Sequence, residues 1–499
     1  MRQTDSLKVA MFSAEAVPFA KVGGLADVVG VLPRFLEKIG AAQTVIIPAY
    51  KSIDRDRHRI RRANDLADFE APLGAHRIPV EVSHTRLPET NVDVYFVAGG
   101  HFFSRDGIYD DPATREAYPD NMQRFVFLAR AGLELLRRKG SAPDVIHCHD
   151  SHTALIPGLL RTVYATDPFF THTGALFTIH NLAYQNLFPK DALDLAGIDP
   201  GLFHTGSPFE YWGRVNFMKV GIETADLINT VSEGYAREIQ ADPKYGFGLE
   251  GVLQRRSADL SGIVNGIDYS EWNPETDPFI AARYSAHDLA GKEECKRALL
   301  EIFGLSAPPG RMPLIGIISR LADQKGFDLI GAAIDEMGGM ELQMVVLGTG
   351  QQKYHDLFQK ISMRYPDRFA VRFEFNNALA HQIEAGADMF LMPSRYEPCG
   401  LNQLFSLRYG TVPIVRATGG LADTVINYDI AGDRGTGFSF TEYGAPQMML
   451  AVRRALMVYS DPVSWRDLML RGMAEDWSWE ASAQKYMRLY ERIRIRKRR

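Results

Sequence analysis

Residues 7–48 read LKVAMFSAEAVPFAKVGGLADVVGVLPRFLEKIGAAQTVIIP, and this stretch decides the fold. Residues 7–13 form a short apolar run of the kind found in buried strands. Residues 25–39 carry apolar side chains at the spacing of an amphipathic helix, and residues 44–48 return to a strand pattern. The order strand, helix, strand predicts a βαβ unit with parallel strands.

The same alternation of apolar runs and helical patterns continues along the chain. The further strand predictions are residues 144–148, 175–179, 227–231, 314–319, 344–347, 389–393 and 412–415. Because strands that are apolar along their whole length are typical of parallel sheets covered by helices, the predicted fold class is α/β. Residues 274–313 interrupt the series with prolines and one charged helical pattern, which favours a linker into a second domain.

A helical pattern with an aromatic side closes the chain at residues 477–499. Its aromatic residues are Trp477, Trp479, Tyr486 and Tyr490. The last turns, residues 492–499, hold six basic side chains. Such a run can bind an acidic partner, but a solvated helix end, where cations suit the helix dipole, is the commoner case.

One short motif occurs in both halves of the sequence. Residues 23–29 read GGLADVV and residues 419–425 read GGLADTV. Each copy follows a predicted strand and opens a predicted helix. Each therefore places a Gly-Gly loop at the carboxyl edge of a sheet, where ligands of open α/β sheets bind. The repetition predicts two similar α/β domains.

Composition and charge narrow the functional classes. The chain has 499 residues, and at about 150 residues per domain its length allows two to four domains. The net charge of −5 gives no global attraction to nucleic acid or to anionic membranes. Residues 1–6 show no signal-peptide pattern, and no apolar run approaches the ~18 residues of a membrane helix. Three cysteines exclude a disulfide framework, so we expect a cytoplasmic protein.

Two loops combine basic side chains with the start of a helix. Lys21 precedes Gly23 and Gly24, and paired glycines let a backbone approach an anionic ligand closely. Arg320 and Lys325 follow the first predicted strand of the second half, where two cations and a helix start predict a phosphate cradle. The alternatives are a plain strand-to-helix turn at Lys21 and solvated loop charges at the second site.

The stretch PSRYEPCGL, residues 393–401, carries the most information about function. Glu397 lies in a turn between a strand and a helix, where a carboxylate can accept sugar hydroxyls or stabilise a developing positive charge. The backbone amides of Cys399, Gly400 and Leu401 can meet a phosphate. The alternative is that Glu397 only complements the dipole of the helix that follows.

Histidines cluster at the end of a predicted strand, where residues 147–152 read HCHDSH. This spacing matches no standard metal motif, so a polar strand end that faces a ligand is favoured over a metal site. Because side chains alternate along a strand, His147 and His149 should point the same way. His180 ends another strand at the same sheet edge as Asp150. This position favours a functional role for His180 over the role of a histidine in the core.

A weaker signal concerns dinucleotides. Residues 348–350 read GTG after a strand, which is half of the fingerprint that binds NAD. Lys353 stands where the third glycine belongs, so the reading as an oxidoreductase is weak. No Walker A loop, nucleophile elbow or His-Glu-x-x-His helix occurs in the sequence.

Together these motifs resemble the bacterial glycogen synthase and plant starch synthase family. The segments that carry the resemblance are residues 21–27, 147–152, 178–185, 264–268, 272–274, 319–326, 393–401 and 418–423. The resemblance implies the GT-B fold, in which two Rossmann-like domains face each other across a central cleft. The implied domains are residues 1–262, completed by a C-terminal helix at 477–499, and residues 263–476.

The resemblance also implies an activity. Glucose would pass from ADP-glucose to the nonreducing-end 4-OH of an α-1,4-glucan, with retention of configuration at the anomeric carbon. The acceptor would be glycogen or a maltooligosaccharide, and neither a metal nor a cofactor is expected. A related glucosyltransferase that uses UDP-glucose or another acceptor is the alternative. A noncatalytic glucan-binding scaffold is a further one.

Site residues carried over from the family belong to two groups. The implied catalytic residues are Arg320, Lys325, Glu397 and His180. The implied substrate-binding residues are Lys21, Gly23, Gly24, Asp150, Asn181, Asn265, Phe375, Cys399, Gly400, Leu401, Thr418, Gly419 and Gly420. In this assignment Arg320 and Lys325 bind the donor diphosphate, and Asp150 lies on the acceptor side. Phe375 occupies the place of an aromatic residue that stacks on the nucleobase.

Overall fold

The computed structural model describes residues 6–64, 66–306, 312–429 and 434–498. These residues form two compact units. Unit 1 contains the described residues of Met1–Val231, Ala236–Ile263 and Trp479–Arg499. Unit 2 contains those of Ser232–Tyr235 and Val264–Ser478. Residues 1–5, 307–311 and 499, which belong to the predicted polar start, linker and basic end, lie outside the described residues.

Unit 1 is built on one large mixed sheet. Its strands are β1 (Leu7–Phe12), β2 (Ala41–Pro48), β3 (Arg61–Arg62), β4 (Phe69–Leu73), β5 (His76–Arg86), β6 (Asp93–Ala98), β7 (Val145–His149), β8 (Gly174–Ile179), β9 (Leu187–Phe188), β10 (Val215–Asn216), β11 (Leu227–Thr230) and β12 (Leu260–Gly262). The order is β12-β11-β8-β7-β1-β2-β6-β5-β3, with β4 paired to β5. The strands from β12 to β6 run parallel, as predicted.

The antiparallel edge of this sheet was not predicted. Strands β3 and β4 pair antiparallel with β5, and β5 pairs antiparallel with β6. Strand β5 carries exposed polar residues such as His76, Arg77 and Glu81 between buried ones. It therefore lacks the continuous apolar run on which the strand predictions relied. Strands β9 and β10 form a separate antiparallel pair.

Helices cover the sheet of unit 1 and bury its strands. They are α1 (Gly24–Lys38), α2 (Asn121–Lys139), α3 (Leu155–Arg161), α4 (Asp191–Ala196), α5 (Phe217–Thr224), α6 (Glu233–Ala241), α7 (Pro243–Gly246) and α8 (Glu250–Arg255), of which α6 belongs to unit 1 from Ala236 onward. Helix α1 buries Leu25, Val28, Val29 and Leu32, whose spacing is that of one helical face. The apolar periodicity of the sequence thus becomes the packing of α1.

Unit 2 repeats the design with an all-parallel sheet of order β15-β14-β13-β16-β17-β18. Its strands are β13 (Leu314–Ile318), β14 (Gln343–Leu347), β15 (Phe369–Arg372), β16 (Met389–Met392), β17 (Val412–Arg416) and β18 (Phe438–Phe440). Its helices are α9 (Ala290–Phe303), α10 (Phe327–Gly338), α11 (Gln352–Arg364), α12 (Asn377–Gly386), α13 (Asn402–Arg408), α14 (Gly419–Thr424), α15 (Ala445–Tyr459) and α16 (Pro462–Met473). A core that includes Ile315, Ile317 and Leu391 lies between sheet and helices.

The last helix, α17 (Trp479–Arg498), belongs to unit 1 although it follows unit 2 in sequence. It buries Tyr486, Tyr490 and Ile493. Basic residues at its end form ion pairs within unit 1 in addition to being exposed to solvent. Arg496 pairs with Asp259 at 2.9 Å, and Arg498 pairs with Asp144 at 3.0 Å. None of the described helices combines the length and the apolar character needed to cross a membrane.

Candidate active site

The phosphate cradle predicted in unit 2 forms where β13 ends. A 3-10 turn over Asp323–Lys325 leads into α10 through Gly326. Gly326 has a positive φ of 74°, and a Cβ there would lie 2.0 Å from the carbonyl oxygen of Pro393. Only glycine lets this loop pack so closely against the end of β16. The Arg395 amide also donates to the Gln324 carbonyl at 2.8 Å, so the two loops are tied together.

This packing brings Lys325 to Glu397. The Lys325 Nζ lies 2.6 Å from Glu397 Oε2, and Ser394 Oγ donates to the same oxygen at 3.0 Å. The Glu397 side chain is buried and that of Lys325 is only one-fifth exposed. Removal of either charge would leave the other poorly solvated, so the pair holds both side chains in place.

Arg320 differs from Lys325 in its surroundings. Its side chain is exposed, and it makes no ion pair or hydrogen bond through its guanidinium with any described residue. A guanidinium carries five donors in a planar fork that matches phosphate oxygens. Arg320 is therefore a free cation at the carboxyl edge of the unit 2 sheet.

The loop from Glu397 to Leu401 packs against the second Gly-Gly turn. Gly419 has a positive φ of 46°, and a Cβ there would lie 2.1 Å from the Glu397 carbonyl oxygen. A Cβ on Gly420 would lie 2.1 Å from the Cys399 carbonyl oxygen. These two glycines, which follow the buried Thr418, therefore have a packing role of their own. Gly400, with φ 74°, precedes Leu401 at the start of α13.

Asn265 lies in the same unit beside Cys399. The backbone of Asn265 hydrogen-bonds to Cys399, and burial raises the pKa of the Cys399 thiol to about 12. The Asn265 side chain is buried, yet its Oδ1 has no hydrogen-bond partner among the described residues. An orphaned buried amide oxygen is costly, so this atom is suited to accept from a bound ligand.

Phe375 and the GTG motif lie on neighbouring loops of the same sheet edge. Phe375 follows β15 and is 83% exposed, so one face of its ring is open for stacking. A Cβ on Gly348 would lie 1.9 Å from the Ser319 carbonyl oxygen, and one on Gly350 would lie 2.3 Å from that of Leu321. The GTG motif thus serves close packing of two loops, which explains these glycines without a dinucleotide.

In unit 1 the Lys21 loop is held by a buried glutamate that the sequence analysis missed. The Glu15 Oε2 atom accepts from the backbone amides of Val22 and of Gly23, the latter at 2.9 Å. Burial raises the pKa of Glu15. Lys21 itself pairs with Asp27 at 2.7 Å. The segment SAEAVPF carries no local pattern that marks Glu15 for this role, because its contacts form only in the folded chain.

Gly23 and Gly24 differ from the glycines of the second Gly-Gly turn. Gly23 has φ −143° and is extended, and Gly24 begins α1. A Cβ on either residue would meet nothing within 4 Å. Neither backbone conformation nor packing requires glycine here, so open space remains for a ligand beside the backbone.

The structure brings Asp150, His180 and Asn181 together at the ends of β7 and β8. The Asp150 Oδ1 atom accepts from the His180 amide at 2.7 Å and from the Asn181 amide at 3.4 Å. Burial raises the pKa of Asp150 to about 7. Burial lowers the pKa of His180 to about 3, so its imidazole is neutral.

His147 and His149 point the same way, as the strand geometry predicted, but both are fully buried. The expectation that they face a ligand is wrong for His147. Its Nδ1 pairs with the Tyr490 hydroxyl at 2.8 Å and its Nε2 with the Thr178 hydroxyl at 2.6 Å, so α17 covers it. His149 Nδ1 lies 2.9 Å from His180 Nε2 and positions that ring.

Tyr109 is a second residue that the sequence analysis missed. Its hydroxyl donates to Glu15 Oε1, and its ring stacks on His152 with centroids 4.4 Å apart. Charge on Glu15 and on Asp150 helps raise the pKa of Tyr109 above its usual value, after burial as the main cause. A tyrosine in the loop between β6 and α2 gives no local pattern that would have marked it.

The described part of the chain also contains cysteine thiols and side chains of the kinds that can ligate a metal. No group of three or more His, Cys, Asp or Glu side chains among the described residues is arranged to hold a metal ion. Cys148, Cys295 and Cys399 are free thiols, and all three are buried.

Comparison with known proteins places this geometry in a family. The profile described as "Starch synthase catalytic domain" matches residues 8–255, and the profile described as "Glycosyl transferases group 1" matches residues 301–462. The chain is 49% identical over 488 residues to a glycogen synthase of Koribacter versatilis, which covers 98% of each chain. The chain belongs to the glycogen synthase and starch synthase family. It is also 46% identical to "Glycogen synthase 1" of Geobacter metallireducens, over 99% of this chain and 97% of that one.

Solved structures agree with this assignment. The catalytic domain of starch synthase IV from Arabidopsis thaliana, bound to ADP and acarbose, superposes with a TM-score of 0.89. It is 35% identical, and the match covers 98% of this chain and 100% of that one. A sucrose-phosphate synthase from Thermosynechococcus elongatus, 18% identical with a TM-score of 0.60, shares the fold. The chain is therefore a glycosyltransferase with the GT-B fold, as its motifs predicted.

Proposed function

We propose that this protein is a glucan synthase that transfers glucose from ADP-glucose to the nonreducing-end 4-OH of an α-1,4-glucan. One observation carries the proposal. In a chain of this family, two cations lie in the same loop at one sheet edge: Lys325, which is held by Glu397, and Arg320, which has no ion pair with a described residue. The choice of ADP is supported by the related starch synthase that was solved with ADP. Glycogen or a maltooligosaccharide is the proposed acceptor.

The donor is assigned to residues of unit 2. Arg320 and Lys325 bind the diphosphate, with the amides of Cys399, Gly400 and Leu401 beside it. Glu397 and the Asn265 Oδ1 hold hydroxyls of the glucose. Additional donor contacts are assigned to Phe375, on the nucleobase, and to Thr418, Gly419 and Gly420.

The chemistry follows from where charge develops. The bond between the anomeric carbon and the β-phosphate oxygen breaks, and ADP leaves with that electron pair and an added negative charge. The sugar acquires oxocarbenium character at the same time. Fixed cations at the departing phosphate stabilise this transition state more than the ground state, which is the requirement for catalysis. Arg320 and Lys325 supply those cations without a metal or a cofactor.

Residues of unit 1 are assigned to the sugar and to the acceptor. Lys21, Gly23 and Gly24 approach the phosphate and the glucose. His180, which is neutral at physiological pH, hydrogen-bonds the glucose with Asn181 beside it. Asp150 acts on the acceptor side, where its carboxylate accepts a glucan hydroxyl.

Retention of configuration is assigned to a front-face route. The acceptor 4-OH forms the new bond to the anomeric carbon on the side that ADP leaves, and its proton passes to the departing phosphate oxygen. A double displacement instead needs a carboxylate that attacks the opposite face and forms a glucosyl-enzyme. Trapping such a covalent glucosyl-enzyme by mass spectrometry would contradict this route.

The test of the proposed function is a donor-specific incorporation assay. Purified protein is incubated with glycogen primer and with radiolabelled ADP-glucose or UDP-glucose. The proposal expects incorporation from ADP-glucose that far exceeds that from UDP-glucose and is unchanged by EDTA. Preference for UDP-glucose would favour the alternative enzyme, and glycogen binding without incorporation would favour the scaffold.

The proposed location is the cytoplasm, supported by the three free cysteines.

A further inference from the structure

A groove on unit 1 has no part in the proposed transfer reaction. It has a volume of about 590 Å³ and lies beside α1 and the turn between β5 and β6. Its charged lining consists of Arg57, Arg59, Arg86, Glu37 and Glu89, and it also includes His58, whose pKa is lowered by burial and by the neighbouring Arg57. A volume of this size is within the range of pockets that take small organic ligands, and it exceeds the need of a lone inorganic ion.

The cations of the groove come from an unusually basic segment. Residues 54–62 read DRDRHRIRR and contain five arginines. Arg61 and Arg62 lie outside the groove lining and pair with Asp56 and Asp68. Arg57 and Arg59 line the groove, and neither forms an ion pair with a carboxylate of the described chain.

The two carboxylates of the groove contact groups other than Arg57 and Arg59. Glu37 accepts from the Asn91 amide at 3.0 Å, and Glu89 lies 3.4 Å from the Arg34 guanidinium. The two exposed guanidiniums of Arg57 and Arg59 therefore remain available. Guanidiniums gathered without carboxylate partners are suited to bind a phosphate through charge-assisted hydrogen bonds.

The rest of the lining suits a sugar. Thr85 and Thr90 donate their hydroxyls to the carbonyls of His58 and Leu87 at 2.9 Å, so their oxygens can still accept from sugar hydroxyls, and the Asn91 side-chain nitrogen can donate. Leu87 and Pro88 add an apolar wall. A phosphate alone would use only the arginines. A phosphate ester of a sugar would use both kinds of lining.

We propose that this groove is a binding site for a small phosphate ester of a sugar, separate from the donor cradle of unit 2. The ligand is a sugar monophosphate or a nucleoside monophosphate, since both present the same phosphate and hydroxyl groups. Its phosphate contacts Arg57 and Arg59, with Arg86 on the other wall. Its sugar lies along the segment from Thr85 to Asn91.

Phe19 connects the groove to the Lys21 loop. The Phe19 ring packs edge-on against His58 at 5.1 Å and against Phe96 at 5.1 Å. Phe19 also lines the groove and precedes Lys21 by two residues. A ligand in contact with His58 and Phe19 should therefore add to the packing of the segment from which Lys21 projects.

The test measures binding by calorimetry with fructose 6-phosphate and AMP as probes. Saturating ADP is present throughout to occupy the donor cradle, so failure of the transferase assay does not decide the result. We expect at least one phosphate ester to bind, inorganic phosphate to bind more weakly, and uncharged fructose not to bind. The double variant Arg57→Ala/Arg59→Asn should weaken binding by about ten-fold or more, because two charge-assisted contacts are lost. Asparagine is used at position 59 because Arg59 has φ 52°, which asparagine tolerates.

Arg55→Ala is the matched control, since Arg55 belongs to the same basic segment but does not line the groove. It should leave the affinity within about two-fold. Absence of binding by both esters, or an equal loss in the Arg55 variant, would overturn the site. Hydrogen exchange at the Val22 and Gly23 amides should slow when the ester binds. Binding without that change would overturn the link to the Lys21 loop.

Discussion

At the scale of single residues, both lysines assigned to the donor are held by carboxylates in the structure. Lys325 pairs with Glu397 at 2.6 Å, and Lys21 pairs with Asp27 at 2.7 Å. Each pair fixes a flexible side chain before a phosphate arrives, which lowers the entropy that binding must overcome. Arg320 has no such partner among the residues that the structure describes, so it is the cation that a phosphate meets without competition from them.

The Lys325 assignment gives the first prediction. Lys325→Ala should lower kcat by about 10² to 10³, because a fixed charge at the leaving phosphate is lost. Lys360→Ala, which removes an exposed lysine from α11, should leave kcat unchanged. Steady-state incorporation from ADP-glucose measures both variants. A wild-type rate in Lys325→Ala would refute the phosphate role, and retained glycogen association would show that the variant still folds.

The second prediction concerns Asp150 and pH. Its pKa of about 7 lies above the ordinary value, so this side chain holds a proton more often in the folded protein than in the unfolded chain between about pH 4 and pH 7. The contribution of Asp150 to the free energy of unfolding must therefore fall as the pH rises through this window. Asp150→Asn keeps the acceptor oxygen and tolerates the φ of 55°, but it does not titrate.

We expect Asp150→Asn to melt close to the wild type near pH 4. It should melt at progressively higher temperature than the wild type up to pH 7, with a constant difference above. Thermal unfolding across this range provides the measurement. A difference between the two proteins that does not change with pH would contradict the raised pKa.

Some residues of the candidate site could be predicted from the local sequence, and others could not. Arg320, Lys325 and Glu397 lie next to strands in loops with glycine and proline, so their neighbourhood could be predicted. Glu15 and Tyr109 could not, because their contact joins residues 94 positions apart. Only the folded sheet brings the loop after β1 to the loop after β6.

At the scale of elements, the two Gly-Gly turns share a sequence, but close packing requires glycine in only one of them. Gly419 and Gly420 pack against backbone carbonyls, whereas Gly23 and Gly24 face open space. The repeat predicted two helix starts, and both are present. Sequence identity could not distinguish a packing glycine from one that leaves room for a ligand.

The third prediction uses this contrast. Gly24→Ala should leave the melting temperature unchanged or slightly higher, since alanine favours a helix start over glycine by up to about 1 kcal/mol. It should nevertheless lower kcat/KM for ADP-glucose if a ligand approaches this backbone. Gly420→Ala should instead destabilise the protein by about 1–3 kcal/mol, because its Cβ would overlap the Cys399 carbonyl. Full activity in Gly24→Ala would contradict the assignment of that turn.

The fourth prediction concerns the Lys21 loop as an element. Glu15→Ala removes the acceptor of the Val22 and Gly23 amides and of the Tyr109 hydroxyl. Hydrogen exchange at both amides should accelerate, and kcat/KM for ADP-glucose should fall. Unchanged exchange at these amides would show that Glu15 does not position the loop.

At the scale of the whole molecule, unit 1 depends on the last residues of the chain. Helix α17 supplies Tyr490 to His147 and Tyr486 to Asn229, whose amide lies 3.2 Å from the Tyr486 hydroxyl. The helix itself and its aromatic side were predicted from sequence. Its packing on β7 and β8 followed only from the resemblance, because contacts across more than 300 residues leave no local pattern.

The fifth prediction follows from that dependence. Tyr490→Phe keeps the ring but leaves His147 Nδ1 buried and unpaired, which should cost about 1–3 kcal/mol. The variant should therefore melt at a lower temperature than the wild type. Tyr245→Phe, on a short helix of unit 1, serves as a comparison whose hydroxyl has no role at His147. An unchanged melting temperature in Tyr490→Phe would show that this hydrogen bond is not needed.

Much of the architecture could be predicted because parallel α/β sheets leave a continuous apolar signature in sequence. The antiparallel edge at β3, β4 and β5 could not, because its exposed face interrupts that signature. The expectation that the two domains meet around one sugar nucleotide stays a prediction.

The most direct measurement is a crystal structure of this protein with ADP bound. The account predicts that the ADP diphosphate lies within hydrogen-bond distance of the Arg320 guanidinium and the Lys325 ammonium group. A diphosphate bound at another place, with both side chains directed away from it, would contradict the account.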